Sequence, residues 1–170
     1  MSFATHSIRS ACTAQATVAS PLGPLLLART AQGLAGVWFD DQEHHPGPLD
    51  APQRPDDPLL RDAAERLDAY FAGRDACFDL PLDLLGTPFQ RSVWQALLAI
   101  AAGETRSYGD IARQVGSPRA TRAVGAAVGK NPLSVIVPCH RVIGSSGALT
   151  GYAGGMERKR ALLVLEGVSV

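Results

Sequence analysis

The stretch Val135-Ile136-Val137-Pro138-Cys139-His140-Arg141-Val142 decides how this chain is read. Three β-branched apolar residues predict a buried strand or extended segment. Pro138 has no backbone donor, so a regular ladder ends just before the cysteine. The chain then turns a corner and presents a thiol, an imidazole and a guanidinium in a row. A thiol attacks only as its thiolate, and a nearby cation or base favours that form. The same octapeptide also fits a small buried cysteine, since free cysteines are often inert core residues.

Upstream of this stretch the pattern is helical. Thr87-Pro88 reads as an N-cap with proline at the first helical position, ahead of an apolar stripe of Phe89, Val93, Trp94, Leu97, Leu98 and Ile100. Gly103 stops that helix. Ser107 caps a second helix through about Val115, and Arg119 to Lys130 predicts a third, ended by Asn131-Pro132. Two short helices joined by Gly116-Ser117-Pro118 make a helix-turn-helix. The third helix is nearly bare, with Ala120, Thr121, Ala123, Gly125, Ala126, Ala127 and Gly129 around Arg119, Arg122 and Lys130. A helix that reads base edges in the major groove usually carries Asn, Gln or Arg aimed at them. Small residues instead suit close approach, either to the narrow minor groove or to packed protein. Downstream, Ser145-Ser146-Gly147 marks a turn, and Met156 to Glu166 predicts an amphipathic helix burying Leu162, Leu163 and Leu165.

The first half is organised differently. Residues 13–39 alternate as a small antiparallel meander, with turns at Ser20-Pro21-Leu22-Gly23-Pro24 and Gln32-Gly33. The proline- and acid-rich run from Asp40 to Pro58 predicts an exposed loop. Leu59, Leu60, Ala63, Ala64, Leu67, Tyr70 and Phe71 recur at helical spacing, with Gly73 closing the helix. Cys77 to Leu82 is a short extended piece that Pro81 restricts to a sheet edge or a linker.

The net charge of zero conceals an asymmetry. Residues 1–86 hold 6 Lys+Arg against 12 Asp+Glu, a net of −6, and residues 87–170 hold 10 against 4, a net of +6. A basic half suggests a polyanion partner, and two domains that attract each other would account for it equally. No run of 18 apolar residues predicts a membrane span, and Met1 to Arg9 lacks the pattern of a secretory signal. A cytoplasmic location is the default expectation. Cys12, Cys77 and Cys139 are odd in number and widely spaced, so neither a disulfide framework nor a zinc motif is expected. His6, His44 and His45 with Cys12 are too irregular in spacing for a metal cluster.

From Thr87 through Glu166 these residues resemble the O6-alkylguanine-DNA alkyltransferases, also called methylated-DNA–protein-cysteine methyltransferases. The resemblance rests on several motifs in order. They are Gly103-Glu104-Thr105-Arg106-Ser107-Tyr108-Gly109-Asp110-Ile111-Ala112, Arg122-Ala123-Val124-Gly125, Asn131-Pro132, Pro138-Cys139-His140-Arg141-Val142 and Gly151-Tyr152-Ala153-Gly154-Gly155, followed by Glu166. The first half resembles the family only in its strand-then-helix layout.

The resemblance implies an α+β fold: a small antiparallel sheet plus helix domain, 1–86, then a helical, winged-helix-like domain with a helix-turn-helix, 87–170. It implies that Cys139 accepts the alkyl group, that Glu166 orients His140, and that His140 deprotonates Cys139 through a water. Asn131 would buttress the turn holding the cysteine. Tyr108 would donate to guanine N3 and help rotate the 3′ phosphate. Arg122 would fill the gap left by an extruded base, with Thr121, Ala123, Gly125, Ala126 and Arg141 completing the DNA-binding set. Tyr152 and the amide of Ala153 would line the substrate pocket, where carbonyls near Cys139 and Val142 would receive the guanine amino group. The implied partner is double-stranded DNA containing O6-alkylguanine, met by a monomer with no cofactor, metal or membrane. Two other readings compete. Alkyltransferase-like damage-binding proteins replace the acceptor cysteine, which is present here. A cysteine hydrolase would need no bare basic helix.

Overall fold

The computed structural model describes residues 8–170. It divides into two compact units, Met1–Leu85 and Gly86–Val170. In the first, β1 (Ala14–Val18), β2 (Leu25–Arg29) and β3 (Leu34–Phe39) form an antiparallel sheet in the order β1-β2-β3. Ser20 shapes the first turn, its Oγ accepting from Leu22 N at 3.2 Å, while Gly23 takes φ +115°. Every residue of β3 is buried. Gly36 is required there: a Cβ at that position would lie 1.8 Å from the Trp38 ring, which stands on the same face two residues on.

Helix α1 (Pro58–Phe71) carries the predicted stripe, burying Leu60, Ala63, Leu67 and Tyr70. Asp57 caps it, accepting from Leu59 N at 3.0 Å and Leu60 N at 3.1 Å, and Arg29 Nη1 reaches the same carboxylate at 3.1 Å. The proline-rich loop departs from expectation, because part of it is buried. Gln15 N donates to Pro52 O and Arg54 N donates to Gln15 O, so the loop runs beside β1. Leu49 and Ala51 thereby join a core of Ile8, Cys12, Leu26, Ala28, Ala35 and Trp38. The extended piece ends in a single parallel bridge, Leu34 to Leu82.

The second unit is mainly helical. Its helices are α2 (Pro88–Leu98), α3 (Tyr108–Gln114), α4 (Thr121–Gly129) and α5 (Met156–Leu165). Capping boxes begin two of them: Thr87 with Gln90 starts α2, and Ser107 with Asp110 starts α3. The buried face of α2 is Val93, Trp94, Ala96 and Leu97, with Leu98 left exposed. Trp94 Nε1 donates to Ala127 O at 2.9 Å, fixing α2 against α4. Helices α3 and α4 form the helix-turn-helix, with Gly116 at φ +76° in the turn. A two-residue parallel pair, β4 (Arg106–Ser107) with β5 (Val142–Ile143), flanks it.

Two expectations for this unit are corrected. Val135-Ile136-Val137 is buried but is not a strand. The chain turns there, Val135 adopts φ +72°, and Val137 N returns to Leu133 O. In α5, Leu162 and Leu163 are buried, but Leu165 is exposed and Lys159 lies inside. The inner face of α5 therefore runs Lys159, Leu162, Leu163, Glu166, a spacing of one helical stripe.

Candidate active site

Asn131 builds the turn before the cysteine. Its Oδ1 accepts from Leu133 N at 2.9 Å, and its Nδ2 donates to Val137 O at 2.8 Å. One side-chain amide thus does what a neighbouring strand would otherwise do for this β-branched run. The same Nδ2 lies 3.1 Å from Cys139 Sγ. After Pro138 the chain forms a single 3₁₀ turn, Cys139–Arg141, which aims successive side chains in different directions.

His140 and Arg141 both meet the end of α5. His140 Nε2 lies 2.8 Å from Glu166 Oε1. Arg141 donates from Nη2 to Oε1 at 2.7 Å and from Nε to Oε2 at 2.9 Å, and its Nη1 donates to the Ile100 carbonyl. The side chains of His140 and Glu166 are 0% and 1% exposed, so these bonds form out of water. A guanidinium fork keeps the carboxylate ionised. The carboxylate can only accept, so Nε2 carries the imidazole proton. Nδ1 is then a bare lone pair, and it has no hydrogen-bond partner in the protein.

Burial governs the resting charges. It pushes the Cys139 thiol up, against the opposing pull of the Asn131 hydrogen bond and the nearby Lys159 charge. It also pushes the His140 imidazole down, and Glu166 only partly reverses that. Thiol and imidazole are therefore both neutral at rest, the state in which an imidazole can take a proton from a thiol. Cys12 is likewise buried, its thiol raised to about 11 by burial and by Asp83. Cys77 is exposed, and all three cysteines are free.

The remaining predicted residues fall into two groups. Tyr108 opens α3, half-buried, and Thr150 Oγ1 donates to its Oη at 3.4 Å. Tyr152 and Ala153 are half-buried in the loop between β5 and α5, and Val142 is buried behind it. On α4, Thr121, Arg122, Ala123 and Ala126 are exposed. Gly125 is half-buried, and a Cβ there would meet the Tyr108 ring at 3.9 Å. Arg141 is the correction: expected to face DNA, it is 6% exposed and committed to Glu166 and Ile100. A buried bidentate ion pair leaves it no reach toward a phosphate.

Sequence reading missed Lys159. It is fully buried, its Nζ donating to Val142 O and Thr150 O, each at 2.6 Å, and to Gly151 O at 3.4 Å. The signal was the register of Lys159 with Leu162, Leu163 and Glu166, one helical stripe that a charged residue conceals.

Among the described residues no three His, Cys, Asp or Glu side chains converge as metal ligands, and His6 lies outside them. No helix among them is long and apolar enough to cross a membrane.

Comparison with known proteins adds identity to this geometry. The family described as 6-O-methylguanine DNA methyltransferase, DNA binding domain, matches residues 88–168, and its ribonuclease-like domain matches residues 14–84. The methylated-DNA–protein-cysteine methyltransferase of Mycobacterium tuberculosis is 54% identical over 150 residues, 88% of this chain and 90% of that protein. Its counterpart from Methanosarcina acetivorans is 49% identical, over 87% of this chain and 94% of that protein. The crystal structure of Mycobacterium tuberculosis OGT in complex with DNA aligns with a TM-score of 0.82 at 52% identity, covering 91% of this chain and 92% of that one. With both halves matched and identity near one half over most of its length, the chain belongs to the 6-O-methylguanine DNA methyltransferase family.

Proposed function

We propose that this protein repairs DNA by transferring an alkyl group from O6 of guanine to Cys139, irreversibly and once per molecule. The supporting observation is the buried pairing of a thiol held by Asn131 with an imidazole whose Nε2 is pinned by Glu166 and whose Nδ1 is unpartnered. His140 Nδ1 takes the thiol proton through a bridging water. Sγ attacks the alkyl carbon, the S–C bond forms, and the C–O6 bond breaks with its electron pair on guanine. Tyr108 donates a proton to guanine N3 as that charge develops, and solvent restores it. The thioether has no hydrolytic exit, so one molecule performs one repair. Both reacting partners are supplied by protein and DNA, and no cofactor enters.

Guanine O6 lies on the major-groove edge of its base pair, out of reach of a buried thiol on a protein seated in the minor groove, so the base must leave the duplex, at a cost of a few kcal/mol. The exposed α4 approaches the minor groove through Thr121, Ala123, Gly125 and Ala126. Arg122 enters the vacated stack and offsets part of that cost. The extruded base meets Tyr152, the Ala153 amide facing O6, and the carbonyls near Cys139 and Val142. O4-alkylthymine presents a similar alkyl ether and is a second substrate. In this reading residues 87–170 carry DNA binding and alkyl acceptance, residues 1–86 are structural, and the protein acts as a monomer. A reducing compartment, the cytoplasm, keeps the acceptor thiol free.

Incubation with a duplex bearing radiolabelled O6-methylguanine tests this. Label should move to protein up to one equivalent and stop. Release of label with continued turnover supports a cysteine hydrolase instead, and binding without transfer supports a damage-recognition protein.

A further inference from the structure

Lys159 is a fully buried cation inside the second unit, and the chemistry above does not use it. Taking an ammonium out of water costs several kcal/mol unless its donors are satisfied. Here all three N–H groups have carbonyl acceptors, and those acceptors come from two segments. Val142 O belongs to β5, three residues after the thiol. Thr150 O and Gly151 O belong to the loop that carries Tyr152 and Ala153. The ammonium thus ties the loop to the backbone that positions Cys139. Thr150 continues the tie, since its hydroxyl donates to Tyr108 Oη. Glu166 sits two turns further along the same face of α5. One helix therefore anchors the base-orienting carboxylate at its end and the loop at its middle.

We infer that Lys159 is a positioning residue that latches the 148–155 loop over Cys139 and aims the Val142 carbonyl at the extruded guanine. The inference rests on the proposed alkyl transfer. A carbonyl has two lone pairs, so Val142 O can accept from Lys159 and from a guanine amino group together. Burial also brings the Lys159 ammonium down to about 8, so the latch operates in its charged form below that pH. The titratable groups facing it are Cys139 and His140, both on the 3₁₀ turn and both neutral at rest, and its hydrogen-bond acceptors are three uncharged carbonyls.

The chain contains only two lysines, Lys130 and Lys159, which makes the test direct. The full-length Lys159→Met variant should bind methylated duplex within about twofold of wild type but transfer about 100-fold more slowly at saturating DNA, the scale set by misplacing a reacting group. Iodoacetamide needs no loop, so its reaction at Cys139, followed by peptide mass spectrometry, should fall at least about tenfold less than methyl transfer does. Equal losses in the two reactions, or unchanged methyl transfer, overturn the latch. If that variant does not fold, wild-type protein labelled with ¹⁵N-lysine decides. A slowly exchanging ammonium signal for Lys159, distinct from exposed Lys130, supports the latch, and two alike signals overturn it. If wild type itself transfers no methyl group, the proposed function fails, and the lysine spectrum still judges the latch.

Discussion

Arg141 lays both prongs of its guanidinium on Glu166, Nε to Oε2 at 2.9 Å and Nη2 to Oε1 at 2.7 Å. Removing either partner strands a buried charge, which costs about 3–5 kcal/mol. Glu166→Gln should therefore lower stability by about 3 kcal/mol in urea titration. It should also slow alkyl transfer by about 100-fold, because an amide no longer fixes the imidazole proton on Nε2. Arg141→Lys should lose most of the stability too, since an ammonium cannot reproduce the fork. Wild-type salt dependence of DNA binding in Arg141→Lys would fit its buried place. A reduced salt slope would return it to the DNA-facing set.

Asn131 supports the turn and the thiol together. Asn131→Ala leaves Leu133 N and Val137 O without their side-chain partner inside the core. An unsatisfied buried group costs about 1–3 kcal/mol, so a loss of about 3 kcal/mol is expected by denaturant unfolding. The aspartate variant keeps the acceptor for Leu133 but loses the donor. It should recover part of the stability and little of the transfer rate.

Asp57 gives a pH signature in the first unit. Burial opposes its ionisation, but bonds from Leu60 and Leu59 and the Arg29 charge prevail, holding the carboxyl below its ordinary 3.8. A carboxyl lowered on folding stabilises above its unfolded value, and that contribution disappears as pH falls through the folded one. Asp57→Ala should cost about 1 kcal/mol at neutral pH. Thermal melts of variant and wild type should converge as pH drops below 3.8. A constant gap down to low pH would contradict the ionised cap.

Arg122 is exposed on α4, so Arg122→Ala should leave the melting temperature unchanged. Repair of duplex should slow by about tenfold or more, while reaction with free O6-alkylguanine, which needs no flipping, stays near wild type. Equal slowing on both substrates would remove the intercalating role.

Much of this architecture was legible in the sequence because local signals agreed with each other. The capping pairs Thr87–Gln90 and Ser107–Asp110, the stripe of α1 and the turn at Ser20 to Pro24 are all short-range chemistry. Val135 to Val137 misled because β-branched propensity cannot register a side chain eight residues from the thiol that supplies the missing hydrogen bonds. Arg141 and Lys159 misled for a related reason. A charged residue reads as solvated until its partners are known, and theirs are a carboxylate 25 residues away and carbonyls 8 to 17 residues away. The polar composition of the proline-rich loop predicts exposure. Its hydrogen bonds to Gln15 depend on sheet placement that composition does not encode.

The central claim concerns a single sulfur atom. Intact-protein and peptide mass spectrometry after mixing with a duplex carrying one O6-methylguanine measures it most directly. The account predicts one added methyl group per molecule, located on Cys139 and absent from Cys12, Cys77 and the Cys139→Ala variant. An unmodified Cys139 beside a repaired guanine, or a methyl group on another residue, would contradict it.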